Sequence, residues 1–287
     1  MSVKNRVFHH LPAPSVFKNT RTGRQTTYRI RFASDDSGEG AAVLFLHGFN
    51  GSSRSWAYQF AHFTNRTVLA VDAPGFGGSD VLDDSMTTTA SEVAALIDHC
   101  GIDRVMVVGH SMGGMLAQVF GAIYPALCDG LFLSCTHKGR AMRPEAPLGA
   151  EIEERLRQRA ALDDQAYGEL RVRKMLDGQP TADIFAFLTA IAGDIRVAGI
   201  RAGGRAMQVL DTTPLLDQIH APVAILTAER DIVVKPEAAA ALSTSLPEAY
   251  RFHLAAVGHA PYCEDAAGFN AALEEFLTIC QTAKPAT

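Results

Sequence analysis

No stretch of this 287-residue chain approaches the ~20 apolar residues that a membrane-crossing helix requires. The longest apolar runs, 41–46 and 105–108, have the length of buried strands. The first 18 residues are polar, carry His9, His10, Pro12 and Pro14, and lack the unbroken apolar core of a secretory signal. Neither sign of charge dominates: 26 Lys and Arg stand against 31 Asp and Glu, for a net charge of -5. Such a balance offers nucleic acid or an anionic membrane no electrostatic attraction. The five cysteines, Cys100, Cys128, Cys135, Cys263 and Cys280, are odd in number and scattered, and no Cys-x-x-Cys pair points to zinc or redox chemistry. The expectation is a cytoplasmic protein with reduced, mostly packing thiols. Internal repeats and low-complexity segments are also lacking.

What is present is an alternation. Strand-like runs at 26–32, 41–46, 67–71, 105–108 and 130–134 are interleaved with helical patterns at 56–63, 88–100 and 111–123. Continuous apolar strands separated by helices imply a mostly parallel sheet with helices on both faces. Between 137 and 211 no strand pattern occurs. Helical periodicity is found at 151–161, 165–176 and 182–192, with acids and arginines interspersed. The alternation resumes with strands at 223–227 and 250–254 and helices at 236–245 and 267–280, leaving 284–287 as a frayed tail. The expected organisation is a core of 1–136 and 212–287 with a helical insertion at 137–211.

One motif stands out against that frame. Gly109-His110-Ser111-Met112-Gly113-Gly114 lies between a buried strand and a helix, the context of a strained turn that lifts a serine hydroxyl clear of the backbone. The Met112 amide then opens a helix, where its N–H has no intrahelical partner and can face an anion. A serine nucleophile needs a base. His259, in Val257-Gly258-His259-Ala260-Pro261, follows the last strand and falls on the same carboxyl edge of the sheet as Ser111. The base needs a carboxylate to orient it. Asp231 lies just past the 223–227 strand, Glu229 is the alternative, and the strand at 130–134 is followed by Cys135-Thr136-His137, which offers none. Asp129 sits at the wrong end of that strand. A second amide for a developing oxyanion is expected from Phe49, in His47-Gly48-Phe49-Asn50-Gly51. The glycine-rich run 72–79 has neither the Gly-Lys-Ser/Thr ending nor the Gly-x-Gly-x-x-Gly spacing of a phosphate loop, and reads as structural.

With these pieces in order, the chain resembles the α/β-hydrolase superfamily over nearly its whole length, on its esterase, enol-lactonase and carbon–carbon bond hydrolase branch. The resemblance implies an α/β-hydrolase fold, a cap formed by 137–211, and catalysis without a cofactor or metal. It implies a small-molecule ester or lactone as substrate, with no nucleic acid or membrane partner and a homo-oligomer left open. A serine at the turn, in place of the aspartate of haloalkane dehalogenases and epoxide hydrolases, argues against both activities. The alternatives are carbon–carbon cleavage of a ring-fission diketone, a cofactor-free oxygenase or perhydrolase, and a non-hydrolytic receptor. His47, His110, Arg140, Phe185 and Met207 are the residues expected to contact substrate. Phe187, Leu188 and Ile191, and the arginines Arg143, Arg201 and Arg205, are further candidates.

Overall fold

The computed structural model describes residues 8–34, 42–82, 85–178 and 180–282. Ala41, expected to begin a strand, and the tail 284–287 lie outside them. In chain order the elements are β1 (Ser15–Lys18), β2 (Gln25–Arg31), β3 (Ala42–Leu46), α1 (Ala57–His62), β4 (Val68–Val71), α2 (Met86–His99), β5 (Val105–His110), α3 (Met112–Ile123) and β6 (Cys128–Ser134). Four helices follow: α4 (Ala150–Ala161), α5 (Asp164–Arg173), α6 (Ala182–Ala192) and α7 (Val197–Val209). The chain then returns through β7 (Val223–Ala228), α8 (Pro236–Ser245), β8 (Tyr250–Leu254), α9 (Pro261–Glu264) and α10 (Ala266–Thr282).

The strands form one eight-stranded sheet in the order β1-β2-β4-β3-β5-β6-β7-β8. The pairs β1–β2 and β2–β4 are antiparallel, and all others are parallel. The period-two alternation of a strand divides the core in two. Leu44, Leu46, Val105 and Val107 face one cluster with α2 and α3, and Val43, Phe45, Met106 and Val108 face the other with α1 and α10. The helical segment shares both clusters: Ile152, Leu156 and Ile200 join the first, and Phe187, Leu188 and Ile191 the second. A bridge between Gly139 and Asp211 pairs the chain where it leaves the sheet layer with the chain where it comes back.

Three elements were not expected from the sequence: β1, α7 and the one-turn α9. β1 is a four-residue edge strand too short for a periodicity to register. α7 carries Gly199, Gly203 and Gly204, which are poor helix formers. They serve close approach instead. A Cβ at Gly199 would lie 2.5 Å from the Gly75 carbonyl oxygen, and one at Gly203 would lie 3.0 Å from the Phe49 ring. Tertiary packing thus overrides the local penalty and seats α7 on the loops at the sheet's carboxyl edge.

Candidate active site

The site begins with a backbone conformation. Ser111 holds φ 53° and ψ -114°, a region that costs a non-glycine residue about 1–3 kcal/mol. Neighbours hold it there. Its N–H donates to the Ser134 carbonyl at 2.9 Å, and the Thr136 hydroxyl donates to the Ser111 carbonyl at 2.6 Å. Both partners come from the end of β6, so the adjacent strand clamps the turn. A Cβ at Gly113 would stand 2.1 Å from the Leu46 carbonyl oxygen, and one at Gly109 would stand 2.4 Å from that of Gly113. Strand and helix can therefore pack this closely only with glycine at both positions.

The strained turn has two consequences. Ser111 is the N-cap of α3, yet its side chain does not cap the helix, so the hydroxyl has no partner among the described residues. The Met112 amide at the first position of α3 and the Phe49 amide after β3 likewise have no acceptor among the described residues. Two N–H groups and a free hydroxyl thus converge on one sheet edge, close to the positive end of a helix dipole.

His259 and Asp231 arrive from the ends of β8 and β7. His259 Nδ1 lies 3.0 Å from each carboxylate oxygen of Asp231, and the two side chains are only 4% and 7% exposed. Nδ1–H therefore donates, and Nε2 is left as the basic nitrogen facing the cavity. Asp231 Oδ1 also accepts from the amides of Val233 and Val234 at 2.8 and 3.0 Å. Burial pushes the Asp231 carboxyl up, but the His259 hydrogen bond and charge and these two amides outweigh it, leaving the group below its ordinary range. Ser111 and His259 line the same cavity without a direct hydrogen bond, as is common before a substrate draws such a pair together.

Glu264 is a participant that sequence reasoning missed. Its carboxylate accepts from the Gly258 amide at 3.1 Å and the Ala260 amide at 2.7 Å, bracketing His259 on both sides. The available signal was a glutamate in the first turn after Ala260-Pro261, close enough to reach back to the amides at the start of that turn. Glu229, the alternative acid, instead accepts from the Ala256 amide at 2.6 Å and braces the same loop from below. Asp129 is paired with Arg104 at 2.6 Å, as its place at the far end of β6 requires.

The cavity above Ser111 has a volume of about 560 Å³. Of the residues expected to contact substrate, His110, Arg140 and Met207 line it. The His110 ring packs between His259 and Tyr262, with centroids at 4.8 and 5.0 Å. Burial, then the nearby His259, pushes its pKa well below the usual imidazole value. Arg140 sits toward solvent and pairs with Glu151 at 3.1 Å.

Two expectations are corrected. His47 does not reach the cavity: its Nδ1–H donates to the Gly48 carbonyl at 2.8 Å and its Nε2 accepts from the Ala73 amide at 2.9 Å. With both nitrogens engaged, the ring staples the Phe49 loop to the loop after β4. Phe185 lies under the Arg173 guanidinium, 4.9 Å from its ring centroid, and packs on the second core cluster rather than the cavity. Phe187, Leu188 and Ile191 are also core residues.

Cys135, Asp231 and His259 bring three donor atoms within 4.8 Å of one another. Burial, then Asp231, holds the Cys135 thiol well above its ordinary range, whereas a metal requires the thiolate. His259 Nδ1 is moreover committed to Asp231, so the trio fits an orienting pair with a packing thiol better than a metal centre.

A strained serine between strand and helix, a histidine oriented by an acid and two free amides on a mostly parallel sheet define a hydrolase-type architecture. The family model for the alpha/beta hydrolase fold matches residues 41–266, and the chain belongs to that family. It is 28% identical to an uncharacterized protein of Mycobacterium tuberculosis over 91% of this chain and 82% of the relative. Its fold is similar to that of the enol-lactonase from Burkholderia xenovorans LB400, with a TM-score of 0.77 at 20% identity over 92% of this chain and 100% of the other. The bromoperoxidase from Bacillus anthracis is similar at a TM-score of 0.78 and 20% identity, covering 93% and 100%. No helix among the described residues is long and apolar enough to cross a membrane.

Proposed function

We propose that this chain is a serine hydrolase that cleaves a carboxylic ester or lactone of a small molecule through an acyl-enzyme on Ser111. The observation that carries the reading is the unpartnered Ser111 hydroxyl, held on a strained turn in the same cavity as a histidine whose ring Asp231 orients. In this scheme His259 Nε2 takes the Ser111 proton as Oγ attacks the carbonyl carbon. The oxyanion is received by the Phe49 and Met112 amides, which are already aimed and pay no reorganisation cost. The imidazolium, stabilised by Asp231, then protonates the leaving oxygen. Water then gives a proton to His259 as it attacks the acyl carbonyl, and His259 returns that proton to Ser111 Oγ as the acid is released.

Labelling with a fluorophosphonate and turnover of short acyl esters test the scheme. The wild-type chain should label, and Ser111→Ala should lose both labelling and about 10,000-fold or more in kcat. Undiminished turnover by Ser111→Ala would remove Ser111 as the nucleophile.

A further inference from the structure

The wall of the cavity opposite the sheet is cationic, and its charges are not matched. Arg155 on α4, Arg171 on α5 and Lys174 just beyond α5 all line it. Glu151 is the one acidic side chain on the lining among the described residues, and it is paired with Arg140 at the solvent side. Glu154 is held by Arg157 and Gln158 at 2.6 and 2.5 Å, and it meets Arg171 only through Gln158 and at longer range. Among the described residues Arg155 therefore forms no ion pair with a carboxylate, and Glu151 acts on it only at longer range. Its guanidinium donates to Asn50 Oδ1 at 2.7 Å and lies 4.9 Å from the centroid of the Phe49 ring. Arg171 is 3% exposed and lies 5.4 Å from the Tyr167 ring centroid; among the described residues its one hydrogen bond goes to Gln158 Oε1 at 2.6 Å, and its buried Nε has no partner. Burial and the repulsion of Arg171 bring the Arg155 guanidinium down to about 10.

Two guanidiniums on one wall with no carboxylate in direct contact among the described residues are costly unless an anion completes the arrangement. Both still have unused N–H donors, in the fork geometry that matches a carboxylate. Arg155 is also fastened to Phe49 and Asn50, the loop whose amide is assigned to the oxyanion. The anion site therefore lies beside the reacting carbonyl rather than at the cavity mouth.

We infer that Arg155 and Arg171 form a carboxylate subsite, and that the substrate is a small ester or lactone carrying a carboxylate a few atoms from the bond that is cleaved. The subsite's chemistry rests on the serine-hydrolase reading, but its anion affinity does not. Hydrolysis adds water across the acyl–oxygen bond and leaves a product with one more carboxylate than the substrate, for an ester a free alcohol besides.

The test pairs anionic with neutral esters: para-nitrophenyl hydrogen glutarate against para-nitrophenyl pentanoate, and meta-carboxyphenyl butanoate against phenyl butanoate. The wild-type protein should prefer at least one anionic ester in kcat/KM. Arg155→Met should reduce that preference about 30-fold, the scale of a lost hydrogen bond to a charged group. Arg171→Met should reduce it in the same direction, and Arg155→Lys should keep part of it. Glutarate binding to Ser111→Ala, measured by calorimetry, reads the subsite without catalysis and should weaken in the Arg155→Met background. Absence of any anionic preference in the wild type, or equal losses on charged and neutral esters, would overturn the subsite. Failed fluorophosphonate labelling with glutarate binding intact would instead remove the hydrolase reading and leave the subsite standing.

Discussion

The sheet's carboxyl edge and the helical segment 150–209 face each other across one cavity, and they are built on opposite principles. The edge works through backbone. Ser111, Phe49 and Met112 are placed by strand ends, glycines and main-chain hydrogen bonds, with hardly a side chain free to move. The helical segment works through long side chains. Its eight arginines are spread over α4, α5 and α7 and their flanks, and packing alone decides which two turn inward. A rigid edge suits a reaction geometry shared by many substrates, and a wall of adaptable side chains suits the choice among them.

The comparison predicts where substitutions should register. Changes at the edge should lower kcat for every ester alike, and changes in the helical wall should alter discrimination. The largest edge effect after Ser111 is expected from Asp231→Asn. It keeps the shape but presents an amide to His259, and kcat should fall about 10,000-fold with little change in melting temperature. A loss confined to anionic substrates would break the division.

Gly113→Ala comes next. Its Cβ would meet main-chain atoms of Leu46 that cannot swing away. We expect about 2–3 kcal/mol of destabilisation in urea unfolding, together with loss of turnover. Unchanged stability would mean that the strand–helix contact yields more easily than its geometry implies.

Glu264→Gln is a subtler probe, because it turns an amide N–H₂ toward two amide donors and loosens the His259 loop. About a 10- to 100-fold drop in kcat with KM preserved is expected, from misplacement of the base. A KM effect alone would assign Glu264 to the substrate rather than to the positioning of His259.

The smallest effect is that of pH on stability. His47 and His110 are both held neutral, burial being the largest cause for each. Their folded pKa values lie below the unfolded value of about 6.5, so the unfolded chain binds more protons as pH drops. Stability should decline below about pH 6.5, by at most about 1.4 kcal/mol per pH unit for each histidine. The depressed Asp231 carboxyl contributes in the other window. Its stabilisation is complete above the unfolded carboxylate value of about 3.9 and fades as pH falls through its lower folded value. Urea midpoints at about pH 7.5 and 5.5 both lie above the Asp231 window, and His110→Phe should reduce the difference between them.

Much of this edge was legible in the sequence. The buried strands expected at 105–108 and 223–227, which run to 110 and 228 in the structure, the Gly-x-Ser-x-Gly turn and the loop positions of Asp231 and His259 follow from local rules of burial, glycine spacing and strand–helix order. The wall was less so. Arg140 was expected to contact substrate and lines the cavity only at its solvent side, and Phe185 was expected in the cavity and packs against the second core cluster. Arg155 was passed over. Its position between Ile152 and Leu156, on the buried stripe of α4, was the one available sign that this arginine faces inward. α7 was missed because three glycines hide a helix whose stability comes from the surfaces it touches.

The amino-acid order by itself determined the edge of the sheet. Apolar runs bury strands, glycines permit the strained turn, and a serine on that turn, followed along the chain by an aspartate and a histidine after later strands, falls on one side for reasons of chain direction. Only the tertiary structure decided which charges face the cavity, that His47 is a staple and Glu264 a brace, and that Arg155 rests on the Phe49 loop. Strand direction and the glycine spacing of the turn are set by residues close in the chain, and the next strand then clamps the turn. The facing of a long charged side chain on a helix is set by partners as much as 105 residues away, as Arg155 and Asn50 are.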